Sequence, residues 1–340
     1  MSTAVAGETQ HEPRGEGTSS GAGSEAPARR TVRGRLLLGG LAVLAWLPER
    51  PLTAAAEAIG ELWYRATPRR AALARANLAR VCESLAATDR GTGLARRAAT
   101  DPDALERLVR AAYRHTARYY LEVARAGRAD LDTALARIDV ETPDVLAEAI
   151  EGGRQILVVG MHFGAIELPV VLLGHYVGHP VTAPMEMVDD PDLRRWFLET
   201  RGHVGIRIIP LANARRALLA AARRGESIGL VADRDLNGSG LPVPFFGHPA
   251  PLPGGPALLA LETGLPVYVI AARRARGGRY TARLIHVPAP AAGGPRRERM
   301  QQLTASMAAA FEEMIATAPE QWWGAFHPIW PDLEPEEAAA

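Results

Sequence analysis

The pattern of apolar and polar residues divides the chain into a helical first half and a second half in which strands and helices alternate. Segments 52–88 and 103–126 carry apolar residues at helical spacing. From about residue 153, short apolar runs alternate with helical segments. Such runs are typical of parallel strands that are buried on both faces. The pattern predicts an α/β fold with a mainly parallel sheet flanked by helices on both faces, preceded by a helical N-terminal region.

The elements of the second half can be placed individually. The predicted strands are 155–159, 180–184, 207–211, 227–232, 266–271 and, alternating like an edge strand, 280–287. The predicted helices are 166–176, 191–201, 212–224, 255–262 and 296–316. Ligands of such sheets bind at the carboxyl ends of the strands. The turns after residues 159 and 232 are therefore the expected place for a site.

The N-terminal region suggests contact with a membrane. Residues 1–30 are rich in Gly, Ser, Glu, Pro and Ala and predict a disordered tail, and 331–340 form a second tail. An apolar run, 36–47, follows a basic segment, and 12 residues are too few for a span, which needs roughly 20. A secretory signal peptide would begin unusually deep in the chain. We favour a helix in the membrane interface within a helical region 31–150 that precedes an α/β core at 151–330; the alternative is an ordinary core helix.

Two kinds of side chain in segments 52–88 and 103–126 leave alternatives open. Five arginines form a basic surface, namely Arg65, Arg69, Arg70, Arg75 and Arg80. This surface is either simply solvated or attracted to anionic lipid. Tyr113, Tyr119 and Tyr120 have spacings that suit one packed side of a helix, which favours core packing over a binding platform.

Composition excludes several kinds of chemistry. All 39 basic residues are arginine, so a phosphate-binding Walker lysine, a lysine Schiff base and a Ser–Lys pair are impossible. The single cysteine, Cys82, excludes a disulfide within the chain and a cysteine zinc cage, and its helical context favours a packing role. The net charge of +1 gives no reason to expect nucleic acid, and we expect no metal and no cofactor.

The turn after the first buried strand carries the strongest catalytic candidate. His162 lies between Gly160 and Gly164, which permit a tight turn and close approach of a ligand. On one straight helix, residues five apart point about 140° apart. His162 can therefore meet Glu167 only from the turn before the helix, with Glu167 in its first turns. Glu167 could then hold one ring nitrogen and leave the other as a base, and it could also stabilise the helix N-terminus.

These residues resemble a known motif. His162-Phe163-x-x-x-Glu167 resembles the His-x4-Asp/Glu motif of the glycerolipid acyltransferase superfamily. From about 36 to 330 the chain is similar to lipid A biosynthesis lauroyl/myristoyl acyltransferases and to actinobacterial phosphatidylinositol mannoside acyltransferases. The similarity is carried by 76–78, 119–122, 232–236, 244–247, 253–260 and 319–322. Residues 232–236 look more like the mannoside branch, whereas Glu167 stands where that branch commonly has Asp, so the acceptor stays open.

The resemblance implies acyl transfer from acyl-CoA or acyl carrier protein to a hydroxyl. His162 would be the general base, and Glu167 would orient and stabilise its ring. Arg234 and Arg201 are candidates for the oxyanion or for substrate phosphates. Asp233 and Glu186 follow strand ends and could orient these groups, or they could be surface ion pairs.

Further expectations concern the acyl groove, the acceptor and the location. Phe245 and Phe246 could line an acyl groove or pack in the core. The implied acceptor is a membrane glycolipid resembling phosphatidylinositol mannoside, with lipid A-type or lysophospholipid acylation as alternatives. We expect a peripheral protein on the cytoplasmic face of the cell membrane, where soluble acyl donors meet lipid acceptors.

Rival classes fit less well. Gly238-Ser239-Gly240 lacks the Gly-x-Ser-x-Gly spacing of a serine hydrolase. The glycines at 160 and 164 do not supply the Gly-x-Gly-x-x-Gly pattern of a dinucleotide site. A non-catalytic lipid-binding membrane protein is the remaining alternative from another class, and an intact His162/Glu167 pair argues against it.

Overall fold

The computed structural model describes residues 48–126, 131–186, 190–202, 206–212 and 214–333. The predicted tail 1–30, the predicted interfacial helix 36–47 and residues 334–340 lie outside the described residues. Within the described part of the chain, no helix combines the length and the apolar character needed to cross a membrane.

Eleven α-helices lie in the described residues, and the first five precede the sheet. They are α1 (Glu49–Ala66), α2 (Pro68–Ala87), α3 (Gly93–Ala98), α4 (Pro102–Ala126), α5 (Leu131–Leu135), α6 (Pro143–Ile150), α7 (Leu168–Val177), α8 (Pro191–Gly202), α9 (Ala214–Arg223), α10 (Gly255–Thr263) and α11 (Arg296–Thr317). The predicted helix 52–88 is two helices, because Pro68 disfavours helical backbone at Thr67 and then begins α2 itself.

In the described part of the chain, seven strands form one mixed sheet, and two more form a separate hairpin. The strands are β1 (Ile138–Val140), β2 (Leu157–Gly160), β3 (Val181–Met185), β4 (Ile206–Pro210), β5 (Ser227–Val231), β6 (Leu241–Phe245), β7 (His248–Leu252), β8 (Val267–Arg274) and β9 (Tyr280–Val287). The sheet order is β1-β9-β8-β2-β5-β3-β4. The neighbours from β8 to β4 are parallel, and β8 and β9 are antiparallel. The predicted mainly parallel sheet is confirmed.

The sheet is buried on both faces, which explains why its central strands are continuously apolar. Leu157 and Val159 belong to the larger core, whereas Val158 and the preceding Ile156 belong to a smaller core with α6 and α7. Successive side chains of a strand point to opposite faces. Helices therefore cover both sides of the sheet, as the sequence pattern predicts.

The N-terminal helices and the C-terminal segment share the larger core. Leu78 and Leu85 of α2 belong to the same buried cluster as Trp330. The Asn77 side-chain amide donates hydrogen bonds to the carbonyl oxygens of Ala325 and His327, each over 2.8 Å. This contact ties α2 to the chain that leaves α11.

Three details differ from the sequence predictions. Strand β9 is not at the edge, because the short β1 pairs with its outer side, and β1 has too few residues to show an alternating pattern. The β6–β7 hairpin was also missed, since prolines interrupt both strands. Tyr113 and Tyr119 are buried as expected, but Tyr120 is 52% exposed, so the prediction of one packed side is wrong for Tyr120.

Candidate active site

The site is built where two neighbouring parallel strands end. Gly160 of β2 and Val231 of β5 are register partners, and the N–H of Ala232 donates to the carbonyl of Gly160 over 3.1 Å. His162 and Asp233 each lie two residues beyond this paired position. The register of β2 and β5 therefore places the two side chains next to each other.

Asp233 accepts three hydrogen bonds, two of them from His162. Nδ1 of His162 lies 2.6 Å from Oδ1 of Asp233, and the backbone N–H of His162 donates to Oδ2 over 3.0 Å. The indole Nε1–H of Trp322 donates to the same Oδ2 over 2.9 Å. Asp233 is completely buried, so these protein groups replace its solvation.

The hydrogen bonds also set the protonation of the pair. Burial by itself would raise the pKa of Asp233, but the charge of the His162 ring and the hydrogen bonds from His162 and Trp322 outweigh it, and the net pKa is lowered. An ionised carboxylate can only accept, so the proton of a neutral His162 ring sits on Nδ1. Nε2 is then the nitrogen with a free lone pair, which is the form that a general base requires.

The turn that carries His162 is held in a conformation that suits glycine. Gly164 has φ of 55°, and a Cβ there would lie 2.0 Å from the carbonyl oxygen of Ala272. The N–H of Gly164 donates to the carbonyl of Gln321, and the N–H of Ala165 donates to that of Ala272, each over 2.9 Å. The turn that carries His162 is thus fixed between β8 and the segment after α11.

That C-terminal segment, residues 321–324, contacts both halves of the His–Asp pair. The N–H of Trp323 donates to the carbonyl of His162 over 2.9 Å, and the two rings meet edge to face at 4.5 Å. Gly324 is close to the carboxylate, since a Cβ there would lie 2.4 Å from Oδ2 of Asp233. The Gln321 side chain bonds the backbone N–H and carbonyl of Arg274, over 2.7 and 3.0 Å. Segment 321–324 therefore anchors the pair to β8.

A second basic side chain faces the site beside a neutral histidine. Nη1 of Arg234 lies 2.8 Å from Nε2 of His327, whose ring centroid is 6.5 Å from that of His162. Burial lowers the pKa of His327 to about 4, with the positive charges of Arg234, His162 and Arg70 acting in the same direction. A neutral His327 can accept a hydrogen bond from Arg234 and hold this guanidinium in place.

Glu167 lies directly before α7, which begins at Leu168 rather than at the predicted residue 166. It accepts a hydrogen bond from the hydroxyl of Tyr119 over 2.8 Å. The structure thus confirms that His162 occupies the turn before the helix. The hydrogen-bond partner of its Nδ1 is Asp233. A contribution of Glu167 to catalysis stays a prediction.

The other predicted site residues differ in their placement. Arg234 and Asp233 lie in the site, and Asp233 is buried against His162 rather than in a surface ion pair. Glu186 directly follows β3 and is exposed. Arg201 lies in the last turn of α8, and its side chain is outside the described residues.

Two predictions about buried side chains can be settled directly. Phe245 and Phe246 are buried, and the ring of Phe245 stacks on that of Trp330 at 5.6 Å, which confirms the core interpretation. Cys82 is fully buried, and burial raises the pKa of its thiol to about 12, as expected for a packing residue.

Sequence reasoning assigned no role to Trp322, Trp323 or His327. Trp322 ends a segment that carries the family resemblance, and this was the available signal. Its contact with Asp233 spans 89 residues of chain and depends on how α11 returns the chain to the sheet.

Comparison with known proteins identifies the family. The model of the bacterial lipid A biosynthesis acyltransferase family matches residues 26–331. The chain belongs to this family. A phosphatidylinositol mannoside acyltransferase of Mycolicibacterium smegmatis is 33% identical over 172 residues, which cover 49% of this chain and 56% of the relative. A phosphatidylinositol mannoside acyltransferase of Mycobacterium tuberculosis is 29% identical over 153 residues, or 43% of this chain and 48% of the relative.

These matches confirm the resemblance seen in the sequence. The chain spans about half the length of the curated relatives that it matches. The His162–Asp233 pair lies within the segment matched by the family model.

Proposed function

We propose that this protein transfers a fatty acyl chain from an acyl thioester to a hydroxyl of a membrane glycolipid resembling phosphatidylinositol mannoside. The observation that carries the proposal is the buried Asp233 carboxylate, which holds His162 at the end of a parallel strand. Membership of an acyltransferase family supports the reaction, and the names of two relatives support the acceptor class.

The proposed reaction uses His162 twice. Nε2 removes the proton of the acceptor hydroxyl while the hydroxyl oxygen attacks the thioester carbonyl carbon. The tetrahedral oxyanion then collapses, the carbon–sulfur bond breaks, and the leaving thiolate takes the proton from the imidazolium. Asp233 stabilises that imidazolium through Nδ1 and keeps the ring in one orientation throughout. The products are an ester and a free thiol, and His162 is neutral again.

Arg234 is our first candidate for the cation that stabilises the oxyanion. His327 holds its guanidinium near His162, and Nε of Arg234 is buried without a hydrogen-bond partner among the described residues. A preorganised donor of this kind can lower the barrier to acyl transfer substantially. Arg201 remains a second candidate, either for the oxyanion or for donor phosphates, and Glu186 a candidate to orient substrate.

Glu167 is proposed to act on the architecture of the turn. Its carboxylate lies at the N-terminal end of α7, where the helix dipole favours negative charge, and it bonds the Tyr119 hydroxyl. Tyr119 in turn contacts Trp323 with ring centroids 4.8 Å apart, and Trp323 contacts His162. Glu167 would thereby support the surroundings of the base.

We propose that the reaction takes place on the cytoplasmic face of the cell membrane, with acyl-CoA or acyl carrier protein as donor. Lipid A-type or lysophospholipid acylation would use the same His162 chemistry with a different acceptor. A non-catalytic lipid-binding role is the alternative from another class. It is disfavoured by the cost of burying Asp233, since a charge is buried only when it is paired.

The test is a donor and acceptor panel. The full chain is incubated with labelled acyl-CoA or acyl carrier protein and, separately, with phosphatidylinositol mannoside, a lipid A precursor or lysophospholipid. Products are identified by mass spectrometry. We expect acylation of the mannoside acceptor. Acylation of another acceptor alone would refute the proposed acceptor, and no acylation of any would favour the lipid-binding alternative.

A further inference from the structure

Helix α1 exposes an apolar stripe that its contacts with the other described residues do not use. Ile59 and Leu62 are 62% and 65% exposed, and Ala55 and Ala66 extend the same line at helical spacing. We call these four residues the α1 stripe. Among the other described residues, large apolar side chains are mainly buried, so two such exposed residues on adjacent turns form a distinct surface.

The α1 stripe lies beside the face that α1 buries. That face includes Leu52, Ala56 and Gly60. At Gly60 the helix approaches α4 so closely that a Cβ would lie 2.7 Å from the carbonyl oxygen of Tyr113. The buried face thus accounts for the packing of α1 on α4, and the α1 stripe is apolar surface in addition to it.

Aromatic residues extend this surface onto α4. Tyr120 is 52% exposed, and its ring lies 6.4 Å from that of the half-buried Trp63. Tyr and Trp combine an apolar ring with a polar group and are enriched where a protein meets the membrane–water interface. Their presence beside Ile59 and Leu62 indicates a lipid surface rather than an entirely apolar partner.

Positive charge adjoins the α1 stripe at the corner between α1 and α2. Arg65, Arg69 and Arg70 are exposed there, and the sequence contains no acidic residue from 62 to 82. Arg65 is paired with Glu61 over 2.9 Å, and Arg75 and Arg80, the other arginines of the basic surface, are paired with Glu106 and Asp332. Segment 62–82, which contains five arginines and no acidic residue, therefore carries an excess of positive charge that an anionic membrane attracts.

The same surface is connected to the catalytic base through ring contacts. Tyr120 contacts Tyr119 at 5.4 Å between ring centroids, Tyr119 contacts Trp323 at 4.8 Å, and Trp323 contacts His162 at 4.5 Å. A lipid whose headgroup lies at this surface is thus close to the site that would acylate it.

From these observations we propose that the α1 stripe, Trp63 and Tyr120, together with the corner arginines, dock on an anionic lipid bilayer and present the acceptor headgroup to His162. Presentation of the headgroup to His162 rests on the proposed acyl transfer, whereas docking on the bilayer requires no catalysis. Apolar side chains enter the boundary between headgroups and acyl chains while the arginines remain at the headgroups.

The test compares vesicle binding by the full chain and by the double variant Ile59→Glu/Leu62→Glu. Vesicles of phosphatidylcholine with phosphatidylglycerol are used in flotation. We expect the double variant to bind roughly tenfold more weakly or worse, because two carboxylates replace the side chains that would enter the bilayer. Tyr176→Glu is the matched control, since Tyr176 is 50% exposed on α7, and it should bind like the parent.

Two further measurements separate docking from catalysis. His162→Ala should bind vesicles normally and transfer no acyl chain, and the double variant should acylate an acceptor dispersed in detergent at the parent rate. Loss of acyl transfer by every protein tested, both on vesicles and in detergent, would refute the proposed reaction. It would not contradict docking.

Unchanged vesicle binding by the double variant would overturn the docking proposal. A dimer seen by light scattering and lost in the double variant would then assign the face to a second copy. A lower unfolding midpoint of the double variant than of the parent would indicate that another part of this chain covers the α1 stripe.

Discussion

Asp233→Asn tests whether the buried carboxylate sets the protonation of His162. The amide has one accepting oxygen and one donating nitrogen, whereas Asp233 accepts at both oxygens. If the amide oxygen keeps the bonds from the His162 backbone and Trp322, its nitrogen must donate to Nδ1. Nε2 of His162 then carries the proton and cannot act as a base. If the amide is flipped, its nitrogen faces the backbone N–H of His162 and the indole N–H of Trp322, and these two buried donors lose their acceptor.

The size of the effect follows from burial. Asp233 is completely buried and lies 2.6 Å from Nδ1, so the imidazolium that forms during transfer is stabilised in a site with little water. Removing one partner of such a pair costs about 3–5 kcal/mol. At about 1.4 kcal/mol for each tenfold change in rate, kcat should fall by about 10²–10⁴.

The assay measures initial rates of acyl-chain transfer at saturating donor, with circular dichroism and thermal unfolding to check the fold. Asp235→Asn is the matched control. Asp235 accepts backbone N–H groups of its own loop, from Asn237 and Gly240, and its variant should retain most activity. A folded Asp233→Asn variant with more than about a tenth of the parent kcat would refute the reasoning about the tautomer.

Four further predictions test the surroundings of the pair and the stability of the fold. Glu167→Gln should lower kcat by less than about tenfold, because the amide oxygen can still accept from a hydroxyl; a loss as large as that of Asp233→Asn would show that Glu167 orients the base. Arg234→Gln should lower kcat by about 10²–10³ with little change in KM if this cation stabilises the oxyanion; a rise in KM for the acyl donor alone would assign it to donor phosphates. Trp322→Phe removes a donor that lowers the pKa of Asp233, so kcat should fall about tenfold and the acid limb of its pH profile should move to higher pH; an unmoved limb would mean a purely structural role. Burial and the neighbouring arginines lower the pKa of His115 to about 3, so its contribution to stability is present above the ordinary histidine pKa and is lost as pH falls toward the lowered value; His115→Gln should therefore reduce the loss of unfolding free energy between pH 7 and pH 5 by about 2 kcal/mol in urea denaturation, and an equal loss in the parent and the variant would contradict the shift.

The alternation of apolar runs and helical segments was enough to predict the parallel strands and their order along the chain. Leu157, Val158 and Val159 are apolar on both faces because helices cover both faces, and this signal is local. The pattern missed β1, which has three residues, and the β6–β7 hairpin, whose strands contain several prolines. Short length and proline weaken the strand signal for physical reasons.

The candidate base could be predicted from the sequence, but the partner of its ring could not. His162 stands next to a strand end and two glycines, which is local information. Its pairing with Asp233 spans 71 residues and depends on the register of β2 against β5, and the Trp322 contact depends on the path of the chain after α11. Spacing alone favoured Glu167 because it is near in sequence, whereas sheet register decides which carboxylate reaches Nδ1.

In the proposed mechanism, the imidazole of His162, held by Asp233, removes the acceptor proton. The most direct test is His162→Ala, assayed beside the parent with labelled acyl donor and the best acceptor from the panel, with the product quantified by mass spectrometry. We expect this variant to lose essentially all enzymatic transfer while it unfolds at the parent temperature and still binds vesicles. Transfer by folded His162→Ala at a rate comparable to the parent would contradict it.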